Sequence, residues 1–412
     1  MDQPKQKFLG TNGLVILIAL LSAFVPLSTD LYLPALPGMS VYFGVSADRI
    51  NLTLTVFFIF YALGTLIWGP LSDHYGRKPI LVYGLGLYVI ASVFCAFTWS
   101  VEGLILCRIF QAIGGSAAGA VATAIVKDVY SGKNRISVLA IVQSMVLISP
   151  AVAPVLGAIL LKVMSWRGVF WTLTCIGAVA LAGSLLFEES LTERTSGMLL
   201  QSMGRLGWVL KNRGFAILLV LFSLGSISGL AYIASSTYIY QDGFHLSGQM
   251  YSYYFALNAL GMIAGPMIYL RLAQRFHAEN IILACFVTIA ASGLLVGFLG
   301  NLQPWVFALC ILPASTAGSC LRPPAANMML EQQKGDSGAV SSLMGCTGLL
   351  MGSLGMQLIS LPWGNMILVL GIMTFGTAAV SLIAWPFAIT KVIRLPDSNA
   401  LNLQKSDLPE VF

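Results

Sequence analysis

Long apolar runs alternate with short polar segments along the whole chain. A bilayer core about 30 Å thick requires roughly 20 apolar residues in a helix, and windows of that length locate twelve candidate spans. They are residues 13–34, 50–71, 80–98, 103–126, 136–161, 168–188, 214–237, 249–270, 280–300, 304–324, 338–361 and 366–390. Glycine and proline inside several runs are tolerated in membrane helices, because neighbouring helices satisfy the freed backbone groups. The pattern predicts an all-α membrane protein with twelve transmembrane helices.

Composition excludes several classes of soluble protein. Apolar residues make up 57% of the 412 residues and charged residues 9%, where a soluble protein carries roughly 25% charge. So few charges are insufficient to cover the surface of a soluble enzyme, and the high apolar content excludes a disordered chain. The net charge of +6 comes from basic residues that lie singly between apolar runs, which does not indicate a nucleic-acid-binding stripe.

Lysine and arginine are distributed unequally between the two sides of the membrane. With the N-terminus in the cytoplasm, seventeen lie on the cytoplasmic side, three on the external side and two within spans. The cytoplasmic residues are Lys5, Lys7, Arg77, Lys78, Lys127, Lys133, Arg135, Arg194, Arg205, Lys211, Arg213, Arg271, Arg275, Lys334, Lys391, Arg394 and Lys405. The external residues are Arg49, Lys162 and Arg167. Because positive charges concentrate in cytoplasmic loops, both termini are predicted to be cytoplasmic.

The longest interior hydrophilic stretch divides the chain almost equally. It predicts an N-terminal six-helix half (1–187), a cytoplasmic linker (188–213) and a C-terminal six-helix half with a cytoplasmic tail (214–412). Weak repeats at an offset of 203 residues favour two pseudo-symmetric halves, the layout of a transporter with its site between them near the midplane. Within the linker, apolar residues at helical spacing indicate a helix along the inner surface, although an unstructured linker fits equally. These residues are Leu199, Met203, Leu206 and Leu210.

A charged loop follows the second span, with the sequence G-P-L-S-D-H-Y-G-R-K-P from Gly69 to Pro79. Gly69 permits close helix approach, Gly76 permits a tight turn, and Asp73 can pair with Arg77. The stretch resembles the signature loop of the major facilitator superfamily. The matching residues are Gly69, Leu71, Asp73, Gly76, Arg77 and Lys78. The resemblance implies that this loop gates the cytoplasmic side. The corresponding second-half loop, 272–279, keeps little beyond Arg275, which predicts a one-sided gate.

Two ionisable residues are predicted to lie within the membrane in the first half. Arg108 and Gln111 share a face of the fourth span, in a stretch that resembles the superfamily motif associated with proton transfer, although Ala112 stands where a glycine is usual. Asp30 is the only acid placed inside a span. At 1.5 Å per residue, Asp30 and Arg108 both lie about 7–8 Å below the outer boundary. An intramembrane arginine needs a partner, so an ion pair or a proton-linked pair is expected. The alternative is that Asp30 only forms hydrogen bonds near the headgroups.

Two further motifs narrow the resemblance. The stretch P-L-S-T-D-L-Y-L-P-A-L-P around Asp30 resembles the first span of the Bcr/CflA branch of drug:proton antiporters. In the fifth span, Pro150, Pro154 and Gly157 stand where antiporters of the superfamily carry Gly-Pro-x-x-Gly, with Ala153 replacing a glycine. The resemblance implies the major facilitator fold, a bacterial inner membrane and gating by these helix-bending residues.

Several polar and aromatic residues are candidates for a substrate cavity, although each also fits ordinary packing. They are Tyr32, Phe57, Tyr61, Gln111, Tyr254 and Asn258. Arg322, near the inner end of the tenth span, is expected to extend its charged group to the inner surface. Neither metal-ligand spacing nor a phosphate-binding loop occurs in the sequence, so no metal or cofactor is predicted.

The predicted function is proton-coupled secondary active efflux of drugs or drug-like small molecules by alternating access. A proton-coupled transporter of a metabolite such as a nucleoside, sugar or amino acid is the alternative, because the fold serves both. One aspartate and one arginine are too sparse for an enzyme, and a receptor does not need two equivalent halves. The expected partners are a small-molecule substrate, protons and the lipid bilayer, with no nucleic acid, and the protein is expected to be monomeric.

Overall fold

A computed structural model describes residues 6–191, 199–332 and 337–391, and these ranges are helical without any β-strand. The α-helices are α1 Gly10–Ser22, α2 Phe24–Asp30, α3 Leu36–Phe43, α4 Ala47–Tyr75, α5 Arg77–Phe97, α6 Val101–Val129, α7 Gly132–Val163, α8 Trp166–Leu186, α9 Leu199–Leu210, α10 Arg213–Tyr238, α11 Gly248–Leu272, α12 Ala278–Leu299, α13 Pro304–Glu331, α14 Ser337–Ile359 and α15 Met366–Lys391. Five of the lysines and arginines that predict the orientation in the membrane lie outside the described residues, as do residues 192–198 of the linker and 392–412 of the tail. These charges are Lys5, Arg194, Lys334, Arg394 and Lys405.

The number of spans agrees with the hydropathy pattern. Among the described residues, eleven helices are long and apolar enough to cross a membrane, and a pair bent by 44° within 10–43 makes a twelfth. The bend lies at Ala23, because Pro26 has no N–H to donate to the Ser22 carbonyl and its ring crowds that group. A 3₁₀ turn, Leu33–Ala35, then connects α2 to α3. The prediction of an all-α protein with twelve transmembrane helices is confirmed.

Several helices extend beyond the predicted apolar windows. The helices α4 and α6 each contain 29 residues, which gives a length of about 43 Å at 1.5 Å per residue, against a bilayer core of about 30 Å. The helix α4 continues to Tyr75, so the charged loop after the second span is reduced to a turn at Gly76, whose φ is 109°. We call the end of the molecule that holds Gly76 the signature-loop end, and the other the opposite end.

Three buried apolar clusters hold the helices together. One lies between Leu14 and Phe187, and a second lies between Val209 and Ala388. The third combines residues of both halves at the opposite end, including Leu33 and Tyr240. Across the halves, α4 packs against α14, and α7 packs against α11. The residue boundaries of the two halves stay predictions, whereas the linker helix is present as α9, so the unstructured alternative is wrong there.

Candidate functional site

A short segment of the first span is held by both halves of the molecule. Arg108 Nη1 of α6 donates a hydrogen bond to the Ser28 carbonyl at 3.1 Å. From the second half, Thr237 Oγ1 donates to the Leu33 carbonyl at 3.1 Å, and Gln241 Nε2 donates to the Pro34 carbonyl at 3.3 Å. Gln241 lies in a π-helical turn, Ile239–Gly243, that follows α10. We call residues 28–34 the clamped segment, because each end is bonded to a different half.

Asp30 lies inside the clamped segment and is 4% exposed. Its carboxylate accepts a hydrogen bond from Thr29 Oγ1 at 3.0 Å, and Tyr251 of the second half is close enough to interact with it electrostatically. Ser28 points instead into the first half, where its hydroxyl lies 2.7 Å from Tyr88 Oη. Asp30 therefore faces the junction between the halves.

The expected Asp30–Arg108 ion pair is wrong for this state of the protein. In the described part of the chain, the two ion pairs both belong to Arg77. The matched depth of Asp30 and Arg108 fixes their positions along the membrane normal but not the directions of their side chains. Arg108 contacts the first span at Ser28, and side chains two residues apart on a helix point about 200° apart.

Arg108 is fully buried and is surrounded by neutral groups. Its Nη1 donates to Gln111 Oε1 at 2.6 Å, and its Nε donates to the Thr53 carbonyl at 3.4 Å. The guanidinium carbon lies 4.2 Å from the ring centroid of Phe57 and 5.0 Å from that of Tyr32, which gives cation–π stabilisation. Nη2 has no hydrogen-bond partner, so this buried cation keeps one unused donor group.

The predicted cavity residues of the first half gather around Arg108. Gln111 also donates to Ser92 Oγ at 2.7 Å, and the Tyr32 hydroxyl lies 2.9 Å from Thr53 Oγ1. The rings of Phe57 and Tyr61 are stacked, with centroids 6.1 Å apart. The sequence analysis did not identify Thr53 and Ser92, because hydroxyl residues are common in membrane helices and carry no distinctive pattern.

The predicted cavity residues of the second half form a separate group. Tyr254 stacks on Tyr240 with ring centroids 5.0 Å apart. Asn258 is 3% exposed, and its amide lies beside the Tyr232 hydroxyl without completing a well-formed hydrogen bond. Across the residues that the structure covers, no ring contact joins this group to Phe57 and Tyr61. Tyr254 and Asn258 therefore belong to a group in the second half, and their lining of one cavity with Phe57 and Tyr61 stays a prediction.

At the signature-loop end, Arg77 is the centre of a charged cluster. Its Nη1 lies 2.5 Å from Asp73 Oδ1, its Nε lies 2.8 Å from Asp128 Oδ2, and its Nη1 also donates to Ser72 Oγ at 2.6 Å. The expected Asp73–Arg77 contact is therefore present. The contact with Asp128, at the inner end of α6, was not anticipated, because the two residues are far apart in sequence.

Glu189 fixes the turn from the side of the linker. Its carboxylate accepts hydrogen bonds from the backbone N–H groups of Arg77 at 2.9 Å and Lys78 at 3.1 Å, which satisfies free donors at the start of α5. Gly76 adopts a positive φ, and a Cβ there would collide with the same carboxylate. Gly69 differs, because a Cβ at this position would meet nothing. The close helix approach expected at Gly69 is absent in this state.

The prolines and glycine of the fifth span lie within the continuous helix α7. The Pro154 carbonyl accepts a hydrogen bond from Ser252 Oγ of the second half at 2.9 Å. A Cβ at Gly157 would overlap the Leu31 carbonyl, so the expected close packing at Gly157 is present, and the neighbour is the clamped segment. Near the same end, Asn51 Nδ2 donates to Ser360 Oγ at 2.8 Å.

The bundle of apolar helices, with halves joined at one end around buried charged groups, defines a multi-pass membrane transporter. The family model described as the Major Facilitator Superfamily matches residues 18–356. The chain belongs to this superfamily, whose members are transporters and not enzymes.

Curated relatives extend over most of the chain. The chain is 29% identical to the uncharacterized MFS-type transporter YdgK of Bacillus subtilis, over 92% of this chain and 96% of that protein. It is 28% identical to a chloramphenicol resistance protein of Pseudomonas aeruginosa, over 84% of each. It is 25% identical to a bicyclomycin resistance protein homolog of Haemophilus influenzae, over 86% of this chain and 90% of that protein. These relatives fit the resemblance to the Bcr/CflA-type drug antiporters.

Solved structures show the same fold at low sequence identity. A D-xylose-proton symporter superposes with a TM-score of 0.73 and 12% identity, over 92% of this chain and 97% of the symporter. The major facilitator fold expected from the signature loop is therefore confirmed.

Proposed function

We propose that this transporter is a proton-coupled antiporter that exports drugs or drug-like small molecules by alternating access. In this proposal the protein is a monomer in the bacterial inner membrane, with both termini in the cytoplasm. The observation that carries the proposal is the position of Asp30, a buried acid in a segment that both halves hold. The structure then corresponds to a state that is closed toward the outside.

Coupling requires a proton-binding group whose surroundings differ between the two facing states. When the halves separate at the opposite end, the bonds from Thr237 and Gln241 to the clamped segment must break. Asp30 then loses its neighbours in the second half, and the clamped segment is held only from the Arg108 side. For antiport the proton must enter from outside, so we infer that Asp30 takes up a proton in that open state and releases it to the cytoplasm after the opposite end has closed, with the positive charge of Arg108 favouring the ionised carboxylate at release.

The substrate in this proposal contacts the groups on both sides of the junction. The first half supplies Tyr32, Phe57, Tyr61 and Gln111 around Arg108, and the second half supplies Tyr254 and Asn258. Asn258 is the strongest of these candidates for a substrate contact. A buried amide without a full set of hydrogen bonds destabilises the protein, and a bound substrate can supply the missing hydrogen bonds.

Two sets of residues act as gates in this proposal. The charged cluster of Asp73, Arg77 and Lys78, with the turn glycine Gly76 and with Gly69, controls the signature-loop end. Pro150, Pro154 and Gly157 of α7 control the opposite end in this proposal. The Pro154 carbonyl accepts from Ser252 and Gly157 packs against the clamped segment, and Pro150 lies one turn before Pro154 on the same helix. Gly69 faces open space here, so its contribution belongs to the state that is closed at the signature-loop end.

The test is transport by purified protein in proteoliposomes under an imposed pH gradient, with radiolabelled chloramphenicol as the probe. Asp30→Asn keeps the size and the hydrogen bond from Thr29 but cannot titrate, so gradient-driven accumulation should fall to the level of empty liposomes. Asp48→Asn is the matched control, since Asp48 lies in the first turn of α4 at the opposite end and should transport at the wild-type rate.

Two outcomes would contradict the proposal. If Asp30→Asn still concentrates the probe at the wild-type rate, the proton is carried elsewhere, with Asp128 or Glu188 as the next acids to replace. If the wild-type protein accumulates a nucleoside, sugar or amino acid under the same gradient and leaves chloramphenicol unmoved, the metabolite alternative is correct.

A further inference from the structure

A second intramembrane arginine lies in the other half of the molecule. Arg322 belongs to α13 and shares one helical face with Phe307, Ile311 and Gly318, at offsets of four, eleven and fifteen residues from Phe307, because such offsets return to the same face of a helix. Phe307 contacts the rings of Tyr232 and Tyr240, with centroids 6.4 and 5.4 Å away. This face of α13 is therefore directed at the interior of the bundle and not at lipid.

The surroundings of Arg322 are those of a side chain that lines a cavity. Its side chain is exposed to solvent although it lies within a membrane-spanning helix, nine residues before the end of α13. At Gly318, one turn earlier on the same face, a Cβ would meet no other atom. An exposed side chain on a face that points into the bundle, beside open space at Gly318, fits a cavity between the helices.

Arg322 has neither a hydrogen bond nor an ion pair with any residue that the structure describes. The acid at the end of the same helix, Glu331, accepts a hydrogen bond from Asn327. Within the spans, the described charged groups are Arg108, Arg322 and a single acid, Asp30, which is not paired with either arginine. The interior therefore carries an excess of positive charge, and an unpaired cation in a cleft with low-dielectric walls raises the local concentration of anions.

We propose that Arg322 binds the carboxylate of a substrate, and that the transporter therefore accepts organic anions. The planar guanidinium presents parallel N–H donors that match a carboxylate in a two-point contact. This inference rests on the proposed transport function for its physiological meaning, but the binding site itself does not depend on proton coupling.

The test is isothermal titration of the detergent-purified full chain with biphenyl-4-carboxylate and with the neutral biphenyl-4-carboxamide. The wild-type protein should bind the carboxylate at least tenfold more tightly than the amide. Arg322→Gln should weaken carboxylate binding by about 10- to 100-fold, the range for a lost charged hydrogen bond, and leave amide binding unchanged. Arg322→Lys should recover part of the loss, because lysine keeps the charge but not the fork. Arg271→Gln, at the end of α11, is the matched control and should bind both probes like the wild type.

Equal affinities for the two probes, or an unchanged carboxylate affinity in Arg322→Gln, would overturn the proposal. A lipid phosphate offers the same chemistry, so phosphatidylglycerol is titrated in parallel. If Arg322→Gln weakens only the stabilisation by phosphatidylglycerol, the site holds a headgroup and the proposal is wrong. Thermal melting and size-exclusion profiles of the glutamine and lysine variants establish that each is folded.

The outcomes for Arg322 and for the proposed function are separable. Asp30→Asn should lose gradient-driven transport and keep the carboxylate affinity, since Asp30 does not contact Arg322. Loss of carboxylate binding in Arg322→Gln with active proton-driven transport of chloramphenicol supports both proposals. Carboxylate binding without any proton-driven transport supports the site and contradicts the coupling.

Discussion

The two ends of the molecule are held by different kinds of interaction. At the signature-loop end, Arg77 forms ion pairs with Asp73 and Asp128, and Glu189 accepts two backbone hydrogen bonds. All of these groups belong to the first half and the start of the linker. At the opposite end, four buried or half-buried neutral hydrogen bonds connect one half to the other, as between Gln241 and the Pro34 carbonyl. A fifth, at the exposed surface, is donated by the Lys162 ammonium to Gln249 Oε1. Ion pairs therefore hold parts of the first half together, whereas weaker hydrogen bonds hold the joint between the first half and the second half.

The free energies of these interactions explain why a transporter can use ion pairs within one half and neutral hydrogen bonds between the halves. A neutral hydrogen bond contributes about 0.5–1.5 kcal/mol net, so the four described across the halves contribute roughly 2–6 kcal/mol. Shifting a two-state equilibrium from 1:99 to 99:1 takes about 5.5 kcal/mol. The cross-half bonds are thus sufficient to favour the closed state and weak enough to break in each cycle, whereas ion pairs placed across the joint would resist opening.

The largest effect is expected from Arg77→Gln, which removes the centre of the charged cluster. Asp128 would lose its cation while it remains largely buried, and removal of one partner from a buried pair costs about 3–5 kcal/mol. We expect a lower melting temperature in detergent and loss of transport. Lys78→Gln is the control, because only its backbone N–H is engaged with Glu189. Equal melting temperatures for the two variants would contradict the central role of Arg77.

A smaller effect is expected from Gly157→Ala at the opposite end. The added methyl group overlaps the Leu31 carbonyl, and overpacking of this kind costs about 1–3 kcal/mol. Because the displaced backbone belongs to the clamped segment, gradient-driven transport should fall with the melting temperature. Gly69→Ala is the companion variant, and its open surroundings predict a melting temperature close to that of the wild type. If Gly157→Ala melts and transports like the wild type, the close contact at Leu31 is not required.

Thr237→Val and Gln241→Leu should each weaken the joint between the halves without unfolding the protein. Each removes a donor to the clamped segment, so the population that is open at the opposite end should rise by about 2- to 12-fold per variant, the equivalent of 0.5–1.5 kcal/mol. Spin labels at Val41 and Leu361, both exposed, report the separation by pulsed electron resonance in a background without cysteines. An unchanged distance distribution in the double variant would contradict the assignment of these bonds to the joint.

The smallest effect is expected from Asn51→Leu. Only one cross-half hydrogen bond is lost, and the Asn51 Oδ1 atom already lacks a partner in the buried site. The apolar replacement also removes that unsatisfied atom. The free energy lost with the hydrogen bond and the free energy gained by removing the buried unsatisfied atom nearly cancel, so the spin-label distances should change little. A shift as large as that of the Thr237 variant would show that Asn51 holds the joint as strongly as Thr237 does.

The structural features that depend on local sequence pattern were predicted correctly. Those that depend on how each helix is rotated about its axis were not. Apolar runs located the spans, and the signature loop identified the contact between Asp73 and Arg77. The Asp30–Arg108 ion pair is absent from this state, and equal depth could not predict that, since it leaves the direction of each side chain undetermined. The bend at Ala23 follows from Pro26, but proline within a membrane span does not by itself indicate where a helix breaks.

Partners from distant parts of the chain could not be predicted. Asp128 and Glu189 meet Arg77 only because α6 and the start of the linker end beside the same turn. The pairing of a 3₁₀ turn with a π-helical turn at the opposite end has no signal in the sequence pattern either. The interior direction of Arg322 required the ring contacts of Phe307 on the same face.

The acceptors at the opposite end are backbone carbonyls, and this choice has an evolutionary consequence. The bonds to Leu33 and Pro34 depend on the identity of the donors Thr237 and Gln241 but not on the side chains of the acceptor residues. The side chains of Leu33 and Pro34 can therefore be exchanged while the donors remain in place. A lineage of such transporters can diversify its first-half surface toward new compounds, while selection for closure acts mainly on two positions in the second half.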